Sequence, residues 1–130
     1  EALAPGTHGS TFGGNPLATA VGNAVLDVLL ADGFLAHARS MGELLFAQIV
    51  RLGEAHRDIV ADVRGAGLMI GVKCVPPVGE VISACRNAGL LAVPAGENVM
   101  RLLPPLIIEE SHIREAVAMM EEACVALAGK

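Results

Sequence analysis

The stretch Gly6-Thr7-His8-Gly9-Ser10-Thr11-Phe12-Gly13-Gly14-Asn15-Pro16-Leu17 constrains the chain more than any other segment. Its four glycines permit positive φ and close backbone approach, so around Ser10 and Thr11 they describe a shaped loop. Asn15 is a good N-cap and Pro16 suits the first helical position, so the loop runs directly into a helix. Backbone N–H groups, the two hydroxyls and the positive end of that helix can together hold a phosphate. On spacing alone, a Gly-rich connection that merely caps a buried helix is the commoner explanation. The Gly-Lys-Ser/Thr ending of a Walker loop and the G-x-G-x-x-G spacing of a dinucleotide fingerprint are both absent.

From Pro16 to about Leu30 the sequence is apolar almost all round, with Asp27 its one charge. A helix with so little polar face needs covering on most sides, which implies a neighbour that these 130 residues need not contain. Ala31-Asp32-Gly33 ends it. A second, amphipathic helix is predicted from Phe34 to Leu52, its stripe being Leu35, Ala38, Met41, Leu45, Ile49 and Leu52. Gly53 marks its end, and His37 and His56 read as surface residues without a role. Ile59–Arg64 and Leu68–Cys74 read as strands joined through Gly65-Ala66-Gly67, with Leu68, Ile70, Val72 and Cys74 on one face and Met69, Gly71 and Lys73 on the other. A short helix from Val78 to about Ala88 turns Val81, Ile82 and Cys85 inward and stops at Gly89. Leu90–Val93 is the next strand, Pro94 to Asn98 a turn, and Val99–Leu103 another strand. The last helix, from about Ser111 to Leu127, carries Ile113, Val117, Met120, Cys124 and Leu127 at core spacing.

The order helix, helix, strand, strand, helix, strand, strand, helix gives a small, partly antiparallel sheet flanked by helices, an α/β or α+β sandwich from about Gly33 to Lys130. Residues 1–32 look like a piece of a different unit. A chain that is 53% hydrophobic and 18% charged has enough apolar surface for a real core.

Several classes of function are disfavoured. Aromatics are 2% of the residues and the net charge is −5, a poor match to nucleic acid. Cys74, Cys85 and Cys124 are odd in number and far apart, so they read as reduced core residues of a cytoplasmic protein. With His8, His37, His56 and His112 they make no metal-ligand spacing. Apolar runs are broken before membrane-spanning length, and Glu1-Ala2-Leu3-Ala4-Pro5 lacks the features of a signal peptide. His8 and Ser10 invite a hydrolase reading, yet no G-x-S-x-G elbow surrounds Ser10 and no third orienting group can be named.

The string from His8 to Pro16 resembles the segment that class III pyridoxal-phosphate-dependent aminotransferases carry shortly after their Schiff-base lysine, and most of all that of the acetylornithine and ornithine aminotransferases. The resemblance extends over essentially the whole chain, with further motif-like stretches around Arg64 and Arg101. It implies the end of a large cofactor-binding domain at 1–32, bearing a dimer-interface loop, and the C-terminal small domain of a fold type I transferase at 33–130. It implies that Thr11, helped by Ser10, reaches across a homodimer interface to the phosphate of pyridoxal 5'-phosphate in the neighbouring subunit. It implies that Arg101 recognises a substrate carboxylate, whose planar geometry suits a guanidinium bidentately. Arg64 matches a family motif too and is assigned a structural role beside the strand turn.

That chemistry also needs a lysine to hold the cofactor and an acid to pair with its ring. Lys73 sits in a strand opposite its buried face and Lys130 is the last residue, so both read as solvated charge. No catalytic residue is therefore expected among 1–130, and the lysine and aspartate are expected upstream of Glu1. The activity implied is amino transfer between N-acetylornithine, or a related ω-amine such as ornithine, succinylornithine or 4-aminobutyrate, and 2-oxoglutarate, as in arginine biosynthesis. A chain of 130 residues is expected to be inactive alone. The alternative is a non-catalytic folding or dimerisation module exposing the apolar helix from Pro16 to Leu30.

Overall fold

Asn15 closes the Gly-rich loop as its sequence predicts. In the computed structural model, which describes residues 9–129, its Oδ1 accepts the Ala18 N–H at 2.9 Å and its Nδ2 donates to the Phe12 carbonyl. His8 and Lys130 lie outside the described residues. Gly14 has φ +72°, the left-handed turn the loop needs just before its cap. The elements follow in the predicted succession: α1 (Pro16–Leu29), α2 (Phe34–Ala55), β1 (Val60–Ala66), β2 (Met69–Cys74), α3 (Val78–Asn87), β3 (Val93–Ala95), β4 (Val99–Leu102) and α4 (Glu110–Ala128). By its contacts the chain divides into two compact units, between Leu35 and Ala36.

The first unit holds the loop and α1. This helix buries none of its residues, and Leu17, Val21, Val25, Leu26 and Val28 are each at least half exposed. No single helix among the described residues is long and apolar enough to cross a membrane.

The second unit is an α/β sandwich around a four-stranded sheet of order β1-β2-β4-β3. Every pairing is antiparallel, where the sequence left room for a parallel one. Alternation sends Ile70, Val72, Met100 and Leu102 to the covered face, where they join Leu45, Ile49 and Leu52 of α2, Val81, Ile82 and Cys85 of α3, and Ile113, Met120 and Cys124 of α4 in one core. The opposite face of the sheet is open, with Met69, Arg64, Arg101 and Val93 exposed.

Close approaches explain why particular glycines stand where they do. A Cβ on Gly65 would lie 2.3 Å from the Met69 carbonyl oxygen, and one on Gly42 2.8 Å from the backbone of Gly67. The tight β1–β2 hairpin is thus seated directly on α2. Asn98, at φ +62°, braces the other end of the sheet. Its Oδ1 accepts the Val78 N–H at 2.7 Å, while its Nδ2 donates to the carbonyls of Cys74 and Pro76 at 2.8 and 2.9 Å.

The structure corrects several boundaries. α2 continues through Gly53 to Ala55, because the missing side chain lets Val60 pack where a Cβ would meet its Cγ1 at 2.9 Å. Leu35 is exposed rather than part of the stripe. Leu90–Ala92 is not a strand: α3 ends in a Schellman motif, with Gly89 at φ +99°, Gly89 N–H donating to Arg86 and Leu90 N–H to Cys85. That geometry takes the Leu90 donor away from any ladder and moves β3 to Val93–Ala95. Pro94 therefore lies in a strand instead of a turn, tolerated because β3 is an edge. The two histidines read as surface residues without a role each have a partner: His37 Nε2 lies 2.8 Å from the Ile108 carbonyl and His56 Nε2 2.7 Å from Glu121 Oε1.

Candidate functional site: a two-arginine cleft on the open face of the sheet

Register places the site. In the ladder, Arg64 of β1 is opposite Gly71 of β2, Gly71 is opposite Arg101 of β4, and Arg101 is opposite Val93 of β3. Cross-strand partners point to the same face, so the two arginines rise from one row on the open side, with a glycine between them. Two strand spacings separate their α-carbons by about 10 Å. Both line a concavity of about 430 Å³ with Gly65, Ala66, Met69, Gly71, Ala95 and Val99. That volume suits a small organic ligand.

The floor owes its shape to Gly71. A Cβ there would come within 3.1 Å of Val99 Cγ1 and 3.8 Å of Arg64 Cγ, narrowing the cleft from both walls. Its electrostatics are cationic with one resident anion. Arg64 Nη2 lies 3.7 Å from Glu97 Oε2, both side chains being mostly exposed. Arg101 makes no ion pair with any described residue. Glu97 is held from the backbone side as well: it sits at φ +61°, and its carbonyl accepts a hydrogen bond from Lys73 Nζ. The arrangement can take a carboxylate or a comparable planar anion at Arg101.

Of the residues singled out in the sequence, Arg101 is thus in a cleft, and Arg64 shares it. The pairing of the two was not read from the sequence, although the signal was there: a hairpin closed at Gly67 fixes which residue of β2 faces Arg64. Ser10 and Thr11 belong to the first unit. Gly13 N–H donates to the Ser10 carbonyl at 3.3 Å, closing a turn that leaves both hydroxyl-bearing residues exposed. Gly13 admits no side chain, since a Cβ would stand 2.9 Å from Ser10 Cβ. The turn and the N-terminus of α1 suit a phosphate.

Lys73 does not suit the role of a cofactor-anchoring amine, its Nζ being engaged with the Glu97 carbonyl at the edge of the cleft. The three thiols are free and buried. Burial pushes Cys85 up to about 11 and Cys124 up to about 12, and raises Cys74 as well. They are core groups rather than nucleophiles. Among the described residues no cluster of His, Cys, Asp and Glu could hold a metal ion.

Known proteins resemble this chain in sequence and in fold. The family model described as aminotransferase class-III matches residues 1–124. The chain is 51% identical over 125 residues to acetylornithine aminotransferase 1 of Bradyrhizobium diazoefficiens, covering 96% of this chain and 31% of that protein. It is 47% identical over 128 residues to the acetylornithine aminotransferase of Agrobacterium fabrum, covering 98% and 32%. Among solved structures, the acetylornithine aminotransferase of Elizabethkingia anophelis superposes with a TM-score of 0.81 at 36% identity, over 95% of this chain and 33% of that one. The ornithine aminotransferase of Toxoplasma gondii, described with partial occupancy of PLP at its active site, superposes at 0.82 and 32% identity over 98% and 31%. The chain therefore spans about a third of the length of the curated relatives it matches. It belongs to the class-III aminotransferases, a pyridoxal-phosphate-dependent family of enzymes.

Proposed function

We propose that these residues form the C-terminal part of an aminotransferase that moves an amino group between N-acetylornithine, or a related ω-amine, and 2-oxoglutarate, in arginine biosynthesis. The observation that carries the reading is the 51% identity to an acetylornithine aminotransferase, combined with an arginine in an open cleft that pairs with no acid among the described residues. Residues 1–32 complete the large cofactor-binding domain and 33–130 form the small domain. The working enzyme is a cytoplasmic homodimer, a setting that three free thiols suit.

Pyridoxal phosphate supplies the electron sink and amino carrier when bound. The chain's own residues position and recognise. Thr11, helped by Ser10, donates to the phosphate of the cofactor held by the neighbouring subunit. Arg101 takes the substrate carboxylate in a paired hydrogen bond, fixing the orientation of the carbon that exchanges its amino group. The lysine that anchors the cofactor comes from residues outside these 130, since the Lys73 amine is engaged with the Glu97 carbonyl in the turn before β4.

Changing Arg101 to Gln in the full-length enzyme tests the assignment. The expected result is a KM for 2-oxoglutarate raised about 10-fold or more, as for loss of a charge-assisted bidentate contact. An unchanged KM overturns it. Mixed alone with pyridoxal phosphate, the 130-residue chain is expected to show no absorption from cofactor bonded to lysine. A band that disappears in Lys73→Ala would contradict the placement of the anchoring amine elsewhere. A second reading concerns the chain in isolation: the exposed apolar residues of α1 favour a non-catalytic, self-associating module, measurable by sedimentation.

A further inference from the structure

We propose that Asn98 is a positioning residue for Arg101: its side chain ties the start of β4 to the end of β2 and the start of α3, and so fixes the direction from which the guanidinium enters the cleft. The inference rests on the reading of Arg101 as a carboxylate binder and assigns the residue that aims it.

Arg101 is weakly held by its own neighbours. Its cross-strand partner on β2 is Gly71, which has no side chain, and its partner on β3 is Val93, exposed at the sheet edge. It makes no ion pair with a described residue. A guanidinium without lateral packing takes its aim from the backbone that carries it, here a strand of only four residues, Val99–Leu102. Whatever anchors that strand therefore anchors the arginine.

Asn98 directly precedes β4, and its side chain makes three hydrogen bonds. Its Nδ2 donates to the Cys74 and Pro76 carbonyls at 2.8 and 2.9 Å, and its Oδ1 accepts the Val78 N–H at 2.7 Å. The last is the first N–H of α3, which Pro77 at the N-cap leaves without a side-chain acceptor. The Asn98 carbonyl accepts the Cys74 N–H at 3.0 Å, so the residue is bound to the end of β2 through backbone and side chain together. Its conformation agrees with a locked joint. Glu97 and Asn98, at φ +61° and +62°, are the only non-glycine residues of positive φ among those described. Two successive left-handed residues persist where their surroundings over-determine them, and such strain gathers at functional sites. The over-determining contacts here are those of Asn98, with Lys73 Nζ on the Glu97 carbonyl. Removing the Asn98 side chain lets the turn relax and β4 shift against β2, three residues before Arg101.

The test is a double-mutant cycle in the full-length enzyme, read as the KM for 2-oxoglutarate and kcat. Asn98→Gly accepts the left-handed backbone and removes only the side-chain bonds, so it is the variant expected to fold best. It should raise KM about three- to tenfold while changing kcat by less than about twofold, and Asn98→Ala should raise KM at least as much. In the Arg101→Gln background the same Asn98→Gly change should leave KM within about twofold, because no guanidinium remains to be aimed. Ile113→Ala, which weakens the core under the covered face of the sheet, should leave KM at the parental value at a temperature where the variants are folded. An equal rise in KM in Ile113→Ala, or an equal rise from Asn98→Gly in both Arg101 backgrounds, would reduce Asn98 to a structural brace and overturn the proposal. If Arg101→Gln itself leaves KM unchanged, the carboxylate reading of the cleft falls and this proposal falls with it. If Arg101→Gln raises KM but Asn98→Gly and Asn98→Ala do not, Arg101 keeps its role and Asn98 is refuted as the residue that positions it.

Discussion

Helices α1 and α4 are both rich in apolar residues, yet they have opposite fates. α4 concentrates Ile113, Met120, Ala123 and Cys124 on one side and buries them, while Arg114, Glu115, Glu121 and Glu122 stay in water. α1 sets Leu17, Val21, Val25 and Val28 along one side and Leu26 on the other, has Asp27 as its one charge, and buries none of them. Periodicity does not separate them, since both carry an apolar stripe; what sets α1 apart is that it has almost no charged face opposite that stripe. A stripe can be satisfied by a single sheet, which this chain supplies. A helix apolar on every side needs cover from several directions, and the residues that would give it belong, in the proposed enzyme, to the rest of the large domain.

The contrast is sharpened most by cutting into both helices and their units in parallel. Gly65→Ala should be the most damaging single change, because the added Cβ would meet backbone at 2.3 Å and the hairpin cannot yield without losing its seat on α2; a loss above about 3 kcal/mol is expected in urea denaturation. Ile113→Ala in α4, at a fully buried position, should cost about 2–5 kcal/mol. The matched changes Val25→Ala and Leu26→Ala in α1 should shift the same transition by less than about 0.5 kcal/mol. Equal costs in the two helices would break the comparison.

Asn98→Ala comes next. It removes three hydrogen bonds that join the ends of β2 and α3 to the turn before β4, and about 2–3 kcal/mol should be lost by denaturant titration. Because the brace sits three residues before Arg101, the full-length variant should also show a raised KM for 2-oxoglutarate.

A smaller effect follows from the thiols. Unfolded cysteines ionise near pH 9, whereas burial holds Cys85 protonated to about 11 and Cys124 to about 12. Between pH 9 and those values the unfolded state binds fewer protons than the folded one, so stability falls as pH rises. The contribution is complete below pH 9, and each thiol removes at most about 1.4 kcal/mol per pH unit above it. Thermal denaturation between pH 8 and 11 should show this decline, and the double variant Cys85→Ala, Cys124→Ala should flatten it.

Much of the fold was legible because its elements alternate or repeat cleanly. The two faces of β2, the inward residues of α3 and the cap at Asn15 all follow from spacing. The misplaced boundaries share a physical origin, namely tertiary contacts that override local signals. Gly53 reads as a helix stop until Val60 is seen to fill its empty side. Leu90 reads as strand until its N–H is committed to the end of α3. Arg101 could be singled out from its own segment, but its partnership with Arg64 depends on a register that the turn at Gly67 sets. Glu97 and Asn98 give no sequence signal of comparable strength, since their importance comes from a left-handed backbone and contacts more than twenty residues away.

The central claim is that residues 36–129 form a self-sufficient unit bearing the arginine cleft, whereas α1 awaits cover. Amide hydrogen exchange on the 130-residue chain, at a concentration where sedimentation reports a monomer, tests it directly. The expected result is strong protection at Ile49, Val72, Met100 and Met120, with the amides from Val21 to Leu29 exchanging close to the unprotected rate, as a 14-residue helix without packing should. Protection along α1 matching that of α4 in the monomer would contradict the account.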